Sequence, residues 1–331
     1  MFCVPARGRK CRQNPEAMAE LEINRYSPDL KKDWDDFIDR SKNGTFLLKR
    51  GYMDYHSDRF EDHSLLFLKG NSIQAVIPAC RMGDVLVSHA GLTYGGCIMS
   101  RKATTEEILR FFFLLRDRLR SEGFRELRYK PVPHIYHSIP AEEDLYALFR
   151  MNATLTVRNV SASIYMPGKP LFRKDRKAGV RKAISNGLKV MESTDYASFW
   201  KILQDNLASK YGAFPVHSPG EIEMLAGRFP DNIRLYLVAD QEDTYLGGTV
   251  LFICGDVVHA QYISANPRGK QEGAIDILFD RLINETFQGC RYFDFGTSNE
   301  DGGRVLNESL ICQKEGFGAH AVCYDTYSIE I

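Results

Sequence analysis

The sequence predicts an α+β fold in which one order of helices and strands occurs twice. Two observations lead to this prediction. The chain has 331 residues, which is long for one domain and enough for two of about 150 residues each. Both halves show the succession helix, helix, three strands, loop, long helix, strand, helix, strand. Each copy should therefore form a mixed, mostly antiparallel sheet flanked by helices, because hairpin-type turns separate the three consecutive strands.

The first copy is predicted to span residues 19–166. Its glycine-rich loop 91–96 leads into a long helix, which should begin after Thr104, because Glu107 follows at the spacing of a capping box. Gly123 is placed to end that helix. The predicted elements are helices over 32–40 and 51–56, strands over 64–69, 72–81 and 85–89, the long helix, a strand over 124–130, a helix over 140–150 and a strand over 154–166.

The second copy is predicted to span residues 167–331 and to open with a basic helix over 170–187. A capping-box spacing recurs at Ser218 and Glu221. The further elements are helices over 196–209 and from 218, strands over 233–239, 244–253 and 257–264, a loop over 266–273, a long helix over 274–287, a strand over 291–295, a helix over 304–315 and a strand over 319–329.

Composition narrows the class of protein. The 43 basic residues equal the 43 acidic ones, so any nucleic acid or membrane must be held by a local patch. No apolar run is long enough for stable membrane insertion, and residues 1–18 lack the apolar segment of a signal peptide. We therefore expect a cytoplasmic protein with a disordered extension over 1–18, or a natural start at Met18. The eight cysteines form no C-x-x-C pair, which predicts neither a metal site nor disulfides.

Polar side chains gather where the strand 291–295 ends. Asp294 lies in that strand, and Ser298 and Glu300 follow in the next loop, with Asn307 and Lys314 further along. Because sheets of this kind place their sites at the carboxyl ends of central strands, the cluster is a candidate active site. The alternative interpretation is a polar turn followed by a helix cap.

A row of cations marks the basic segment. Arg173, Lys177 and Arg181 fall four residues apart, so a helix would carry them on one face, with Lys182 beside them. Such a row of positive charges is typical of a surface that binds phosphate groups. The alternative is a solvated helix without a ligand.

Three further side chains are candidates for contact with an acceptor. His259 and Gln261 alternate along a strand and should share one face, unless they only pair with a neighbouring strand. His217 lies in a loop between two helices, where a structural role is the alternative. The first copy offers no cation in its loop 91–96 and no polar cluster beside its last strand, which predicts a degenerate, structural domain.

The order of elements is similar to that of the GNAT (acyl-CoA N-acyltransferase) superfamily. Two copies joined by a basic segment resemble the tandem FemAB-like proteins, and residues 173–189 and 291–318 carry the motif-level similarity. The resemblance implies that the loop before the long helix holds a pyrophosphate of coenzyme A on backbone N–H groups at a helix N-terminus. The corresponding residues are Arg268, Gly269, Lys270 and Gly273, although the loop fits the family pattern only in part. A turn that needs its glycines for geometry alone is the alternative.

The predicted function is therefore N-acyl transfer from an acyl-CoA to an amine. We expect Asp294 or Glu300 to act as base or amine-orienting group, and Tyr262 or Ser298 to donate a hydrogen bond. Lys314 and Arg268 would hold anions, and no metal is expected. One alternative is a transferase that uses aminoacyl-tRNA to modify a cell-envelope precursor, with the basic segment on the tRNA. A non-catalytic binding module is the other.

Overall fold

A computed structural model describes residues 21–212 and 214–331; the extension predicted over 1–18 lies outside them. The helices are α1 Lys31–Arg40, α2 Arg50–Met53, α3 Thr105–Ser121, α4 Glu143–Arg150, α5 Lys174–Ser185, α6 Tyr196–Tyr211, α7 Pro219–Arg228, α8 Pro267–Glu272, α9 Ala274–Arg281 and α10 Glu308–Glu315. The strands are β1 Leu21–Arg25, β2 Glu61–Asp62, β3 Leu65–Lys69, β4 Ser72–Ile77, β5 Cys80–Met82, β6 Val85–Val87, β7 Ile98–Met99, β8 Glu126–Tyr129, β9 Thr154–Tyr165, β10 Lys189–Ser193, β11 Ile233–Ala239, β12 Tyr245–Cys254, β13 Val257–Ala265, β14 Tyr292–Thr297, β15 Asn299–Glu300, β16 Val305–Leu306 and β17 His320–Glu330.

The helix starts follow from local chemistry. Thr104 caps α3 and Glu107 bonds back to it, and Ser218 and Glu221 form the same reciprocal pair at α7, as the spacing predicts. These pairs satisfy N–H groups that a helix start otherwise leaves without partners. In the described part of the chain, no helix has the length and apolar character needed to cross a membrane.

Four elements, β1, β10, α8 and α9, differ from the sequence prediction. Strands β1 and β10 were not predicted, because each is an outer strand with few buried side chains and no clear apolar alternation. Most of the predicted loop 266–273 is helix α8, which Asn266 caps by accepting a hydrogen bond from the Gly269 N–H. The long helix after it keeps its α geometry only to Arg281 and ends in one π-helical turn, Leu282–Thr286.

Eleven strands form one large sheet in the order β10-β11-β12-β13-β14-β9-β17-β8-β6-β5-β2. A four-stranded sheet, β1-β3-β4-β7, and the small hairpin β15-β16 accompany it. In the centre, β9 pairs with β14 and β17, and β17 also pairs with β8. The last strand of each sequence half therefore lies in the sheet beside the other half.

The two halves also share a hydrophobic core. One buried cluster includes Trp34, Phe46 and Phe252, and it joins α1 and α2 of the first half to one face of β11 and β12 in the second half. The rings of Phe46 and Phe252 are 5.6 Å apart and nearly perpendicular. Aromatic contacts of this geometry stabilise beyond their buried area, so the first half is packed firmly against the second.

Candidate active site

Two parallel strands separate at the centre of the large sheet. Strands β13 and β14 pair only from Val257 to His259 and from Tyr292 to Asp294. Beyond these residues a cleft of about 310 Å³ opens between them. The residues that line it are Thr93, His259, Ala260, Gln261, Ile263, Phe295, Gly296, Thr297, Leu310, Lys314 and Tyr324.

His259 and Asp294 form a hydrogen-bonded pair at the point of separation. The two residues are register partners, and His259 Nδ1 lies 2.7 Å from Asp294 Oδ2. A Cβ added to Gly296, which lines the cleft, would lie 3.1 Å from His259 Cε1 and 3.8 Å from Nε2. The Cε1–Nε2 edge of the imidazole therefore faces the cleft. Because the carboxylate accepts a hydrogen bond from Nδ1–H, Nε2 of the neutral ring carries a free lone pair.

Asp294 is fully buried in a shell of donors. Oδ1 accepts hydrogen bonds from Ser161 at 2.6 Å and Ser163 at 2.5 Å, and Oδ2 accepts from Tyr136 at 3.1 Å and Tyr324 at 2.9 Å. Burial alone would raise the pKa of Asp294, but the bonds from His259 and the serines hold that pKa below its ordinary value. These contacts do not support the predicted role of Asp294 as the base, because both of its oxygens already accept hydrogen bonds and the side chain is buried.

Two other predicted catalytic residues lie away from the cleft. Ser298 is buried, and its hydroxyl accepts a hydrogen bond from Lys314 at 2.9 Å. Glu300 is exposed on the hairpin and accepts a hydrogen bond from Asn307, which also caps α10. The contacts of Ser298, Glu300 and Asn307 therefore do not support their predicted roles, because each side chain is bonded within the segment that follows β14.

Lys314 lines the cleft but is not free to hold an anion. Its ammonium donates to the carbonyl oxygens of Gly296 and Thr297, both at 2.8 Å, as well as to Ser298. Burial lowers the pKa of Lys314 to about 8, against the opposing effect of the Asp294 charge. All three N–H groups are used, so Lys314 fixes the backbone that forms one wall of the cleft.

A β-bulge in β13 determines which of the predicted residues on this strand line the cleft. Val250 pairs with Tyr262 and Leu251 with Ala260, so Gln261 is the extra residue and lines the cleft with His259. Tyr262 lies outside the cleft lining, and its hydroxyl lies 2.6 Å from Nδ1 of His217. His217 is itself buried, so these contacts support neither the predicted hydrogen-bond donor role of Tyr262 nor the predicted substrate contact of His217.

The side chains of the predicted phosphate-binding segment already bond to other residues of the chain. Arg268 donates to Asp240 at 2.6 Å and to Glu272 at 2.8 Å, and Lys270 bonds to Asn206. Asn266 takes up the Gly269 N–H, and Pro267 has none to offer. The predicted anion-binding roles of Arg268, Gly269 and Lys270 are therefore not supported by their contacts.

Helix α5 covers the N-terminus of α9. A Cβ on Gly273, where φ is +82°, would lie 2.5 Å from the carbonyl oxygen of Gly179. Arg176 of α5 also forms an ion pair at 2.8 Å with Asp276, in the first turn of α9. Since the chain itself fills the space before this helix, the residues present do not fit the pyrophosphate of coenzyme A there.

The outer face of α5 carries exposed cations. Lys174, Lys177, Arg181 and Lys182 are exposed, and within 21–212 and 214–331 they form no ion pair. Arg173 differs from its predicted role, because it turns to α10 and donates to the Cys312 carbonyl at 2.7 Å. The basic patch, defined here as these four exposed residues, is therefore formed without Arg173.

A second cavity of about 460 Å³ adjoins the cleft. Ile263, Phe295, Leu310 and Lys314 line both, so the two cavities meet across these side chains. Its other walls are mainly apolar, with contributions from α6, α8, α9 and α10. A donor could thus approach from this side while an acceptor enters the cleft.

The sequence did not indicate several residues around the pair. Tyr136, Tyr324 and Thr93 are far from Asp294 in the chain, and no local pattern marks them. Ser161 and Ser163 did leave a signal, because these two small polar residues alternate with Ala162 and Ile164 in the short buried part of β9. Such an alternation indicates a polar partner on one face of the sheet.

Comparison with known proteins shows a family match for part of the chain and a likeness of fold for nearly all of it. Residues 171–301 match the family model described as an acetyltransferase (GNAT) domain. The fold is similar to FemX, with 11% identity, a TM-score of 0.67, and 94% of this chain and 97% of that chain covered. It is also similar to the L-PGS structure from Bacillus licheniformis, with 10% identity, a TM-score of 0.58 and 91% of each chain covered. No curated protein matches the sequence.

The family match assigns the segment 171–301 to the GNAT acetyltransferase domains, which agrees with the predicted transferase. The likeness to FemX over nearly the whole chain shows the fold that the tandem, FemAB-like resemblance predicted.

Proposed function

We propose that this chain transfers an acyl group from an activated donor to an amine, with His259 as general base. Asp294 orients the imidazole and stabilises the cation that forms on it. The observation that supports this proposal is the 2.7 Å pair of His259 and Asp294 at the separation of β13 and β14. A base held by a second, buried group is a recurring arrangement in acyl transfer.

The proposed reaction proceeds in two steps. The amine nitrogen forms a bond to the donor carbonyl carbon while His259 Nε2 takes one of its protons, and the carbonyl becomes an oxyanion. The oxyanion then re-forms the carbonyl, the bond to the leaving group breaks, and the leaving atom departs with the electron pair and takes the proton from His259. Positioning of the two reactants and proton transfer would each contribute to the rate.

For the donor we propose an aminoacyl-tRNA. Three observations support this choice: the basic patch on α5, the covered N-terminus of α9, and the fold likeness to FemX and to a lysylphosphatidylglycerol synthetase domain from Agrobacterium fabrum. As in Fem-type proteins, the proposed acceptor is an amine of a cell-envelope precursor. An acyl-CoA is the second candidate donor, because the family match is to an acetyltransferase domain and the adjoining cavity is largely apolar.

The catalytic part of the proposal is tested by measuring transfer from charged tRNA and from acyl-CoAs to a panel of amines. His259→Asn should lower transfer by roughly 10²–10⁴-fold, the usual contribution of a general base. His134→Asn, which changes an exposed histidine in the first half, is the matched control. Wild-type transfer by the His259 variant would rule out the mechanism. No transfer from either donor would favour the non-catalytic binding module.

The donor is tested by the salt dependence of tRNA binding. Lys177→Glu combined with Arg181→Glu should weaken binding and reduce the slope of log K against log salt by about one to two units. Lys32→Glu combined with Lys102→Glu changes two exposed lysines of the first half and should leave the slope unchanged. Equal slopes for both double variants, together with competition by coenzyme A, would favour the acyl-CoA donor.

A further inference from the structure

One loop of the first half extends to the cleft of the second half. In the segment 91–96, Leu92 and Tyr94 are buried, whereas Thr93 between them is exposed and lines the cleft. The sequence predicted this copy to be structural. The loop nevertheless brings a hydroxyl group to the same cleft as His259 and Gln261.

The loop is held rigidly on both sides of Thr93. The buried ammonium of Lys130 donates to the Leu92 carbonyl, and the Tyr94 hydroxyl donates to Thr45 at 3.1 Å. Gly95 N–H donates to the Lys130 carbonyl at 3.0 Å, and a Cβ at Gly95 would collide with the carbonyl of Ser88. The backbone before and after Thr93 is therefore fixed, which presents its side chain to the cleft at low entropic cost.

The Thr93 hydroxyl is available for a ligand. Among residues 21–212 and 214–331 it has no hydrogen-bond partner, whereas Leu92, Tyr94 and Gly95 beside it each form a hydrogen bond. Thr93, His259 and Gln261 also line a third, small cavity, which adjoins the cleft and is only large enough for about one water. Thr93, His259 and Gln261 therefore border the same place in the cleft.

We infer that Thr93 contacts the acceptor, and that the acceptor is a primary amine. This inference rests on the proposed function. A primary amine has two N–H groups: one donates to His259 Nε2 and is lost as the new bond forms, and the other donates to the Thr93 hydroxyl oxygen and stays on the amide product. With both N–H groups held, the nitrogen lone pair points to the donor carbonyl. A secondary amine has only the N–H that His259 removes.

The charge of the cleft restricts the acceptor further. Among the described residues that line it, none is a carboxylate, and the ammonium of Lys314 lies in its wall. A second positive charge on the acceptor would meet repulsion and no counter-ion. The acceptor is therefore a primary amine on a neutral or anionic molecule.

The test compares two variants on a matched pair of acceptor probes, glycinamide and N-methylglycinamide, with the donor that the wild-type chain uses. Thr93→Val keeps the shape and removes the hydroxyl, and should lower kcat/KM for glycinamide about fivefold to tenfold. Thr93→Ser keeps the hydroxyl and should stay within about twofold of wild type. For N-methylglycinamide, the valine variant should equal the wild type.

The outcomes separate this inference from the proposed function. Two results would overturn only the role of Thr93, provided that His259→Asn is inactive. Either Thr93→Val has the wild-type kcat/KM for glycinamide, or it lowers kcat/KM equally for both probes. If the wild-type chain transfers to neither probe, the inference falls together with the proposed function. As a control, both Thr93 variants should unfold at the same temperature as the wild type, because the substituted side chain is exposed.

Discussion

Replacing Asp294 by asparagine should slow transfer by a limited, calculable amount. The substitution keeps the shape of the side chain but removes its charge. Oδ1 faces two serine hydroxyls, which can rotate to accept a hydrogen bond, whereas Oδ2 faces His259 and two tyrosines. The amide should therefore place its NH₂ towards Ser161 and Ser163 and its oxygen towards His259. The imidazole then keeps its orientation and its tautomer.

The magnitude follows from what is lost at the 2.7 Å contact between Nδ1 and Oδ2. A hydrogen bond to a charged group is worth about 1.5–3 kcal/mol, against about 1 kcal/mol for a neutral pair. The imidazolium that forms during transfer should therefore lose about 1–2 kcal/mol of stabilisation, which is roughly a fivefold to thirtyfold fall in kcat/KM. A loss of orientation would cost far more.

The assay is steady-state transfer at neutral pH by the Asp294→Asn variant, with Asp325→Asn as the matched control. Asp325 lies on β17, where it pairs with Arg158 rather than with the cleft. The control should transfer at the wild-type rate. If Asp294→Asn also does so while His259→Asn is inactive, Asp294 is a structural group and the reasoning from the buried pair is refuted.

Three further predictions concern stability. Ser161→Ala removes one donor from the buried carboxylate and should lower the urea unfolding free energy by about 1.5–3 kcal/mol, against less than about 1 kcal/mol for Ser328→Ala at a surface carboxylate; equal losses would contradict this. Burial lowers the pKa of His89 to about 3 and of His217 to about 4. Below about pH 6.5 each of these histidines binds a proton in the unfolded state but not in the folded state. Each should therefore lower the free energy of unfolding by about 2 kcal/mol when the pH falls from 7 to 5, and His89→Asn should remove the contribution of His89 to this loss. Gly273→Ala, at φ +82° against the α5 backbone, should cost more than about 2 kcal/mol in the same assay; wild-type stability would show that α5 is loosely docked.

The order of elements could be predicted because it is written in local patterns. Capping boxes, glycines after helices and apolar periodicity act within a few residues, and α3 and α7 begin where these signals place them. The outer strands β1 and β10 lack such a pattern, since an exposed edge imposes little on its side chains. The exchange of β9 and β17 between the halves is a long-range pairing that no local signal encodes. The domain boundary near residue 166 stays a prediction.

The candidate site was predictable in its residues more than in their roles. Asp294 and His259 were both indicated, one by a polar cluster at a strand end and the other by alternation along a strand. The sequence predicted Asp294 as base or amine-orienting group and His259 as a contact of the acceptor, and it could not show that Asp294 is buried beside His259. Lys314 and Arg268 were expected to hold anions, but each is neutralised or bonded by partners distant in sequence.

The proposed site depends on both halves of the chain, although only one half carries the pair. Strands β6 and β8 repeat the parallel register of β13 and β14, and the positions equivalent to His259 and Asp294 hold Val87 and Arg128. The first half therefore cannot form the pair itself. It instead supplies Tyr136, the serines of β9 and Thr93, all outside the segment 171–301 that matches the family model. A buried carboxylate without those donors would lose the bonds that keep it ionised, so the second half alone should lack the orienting group for His259.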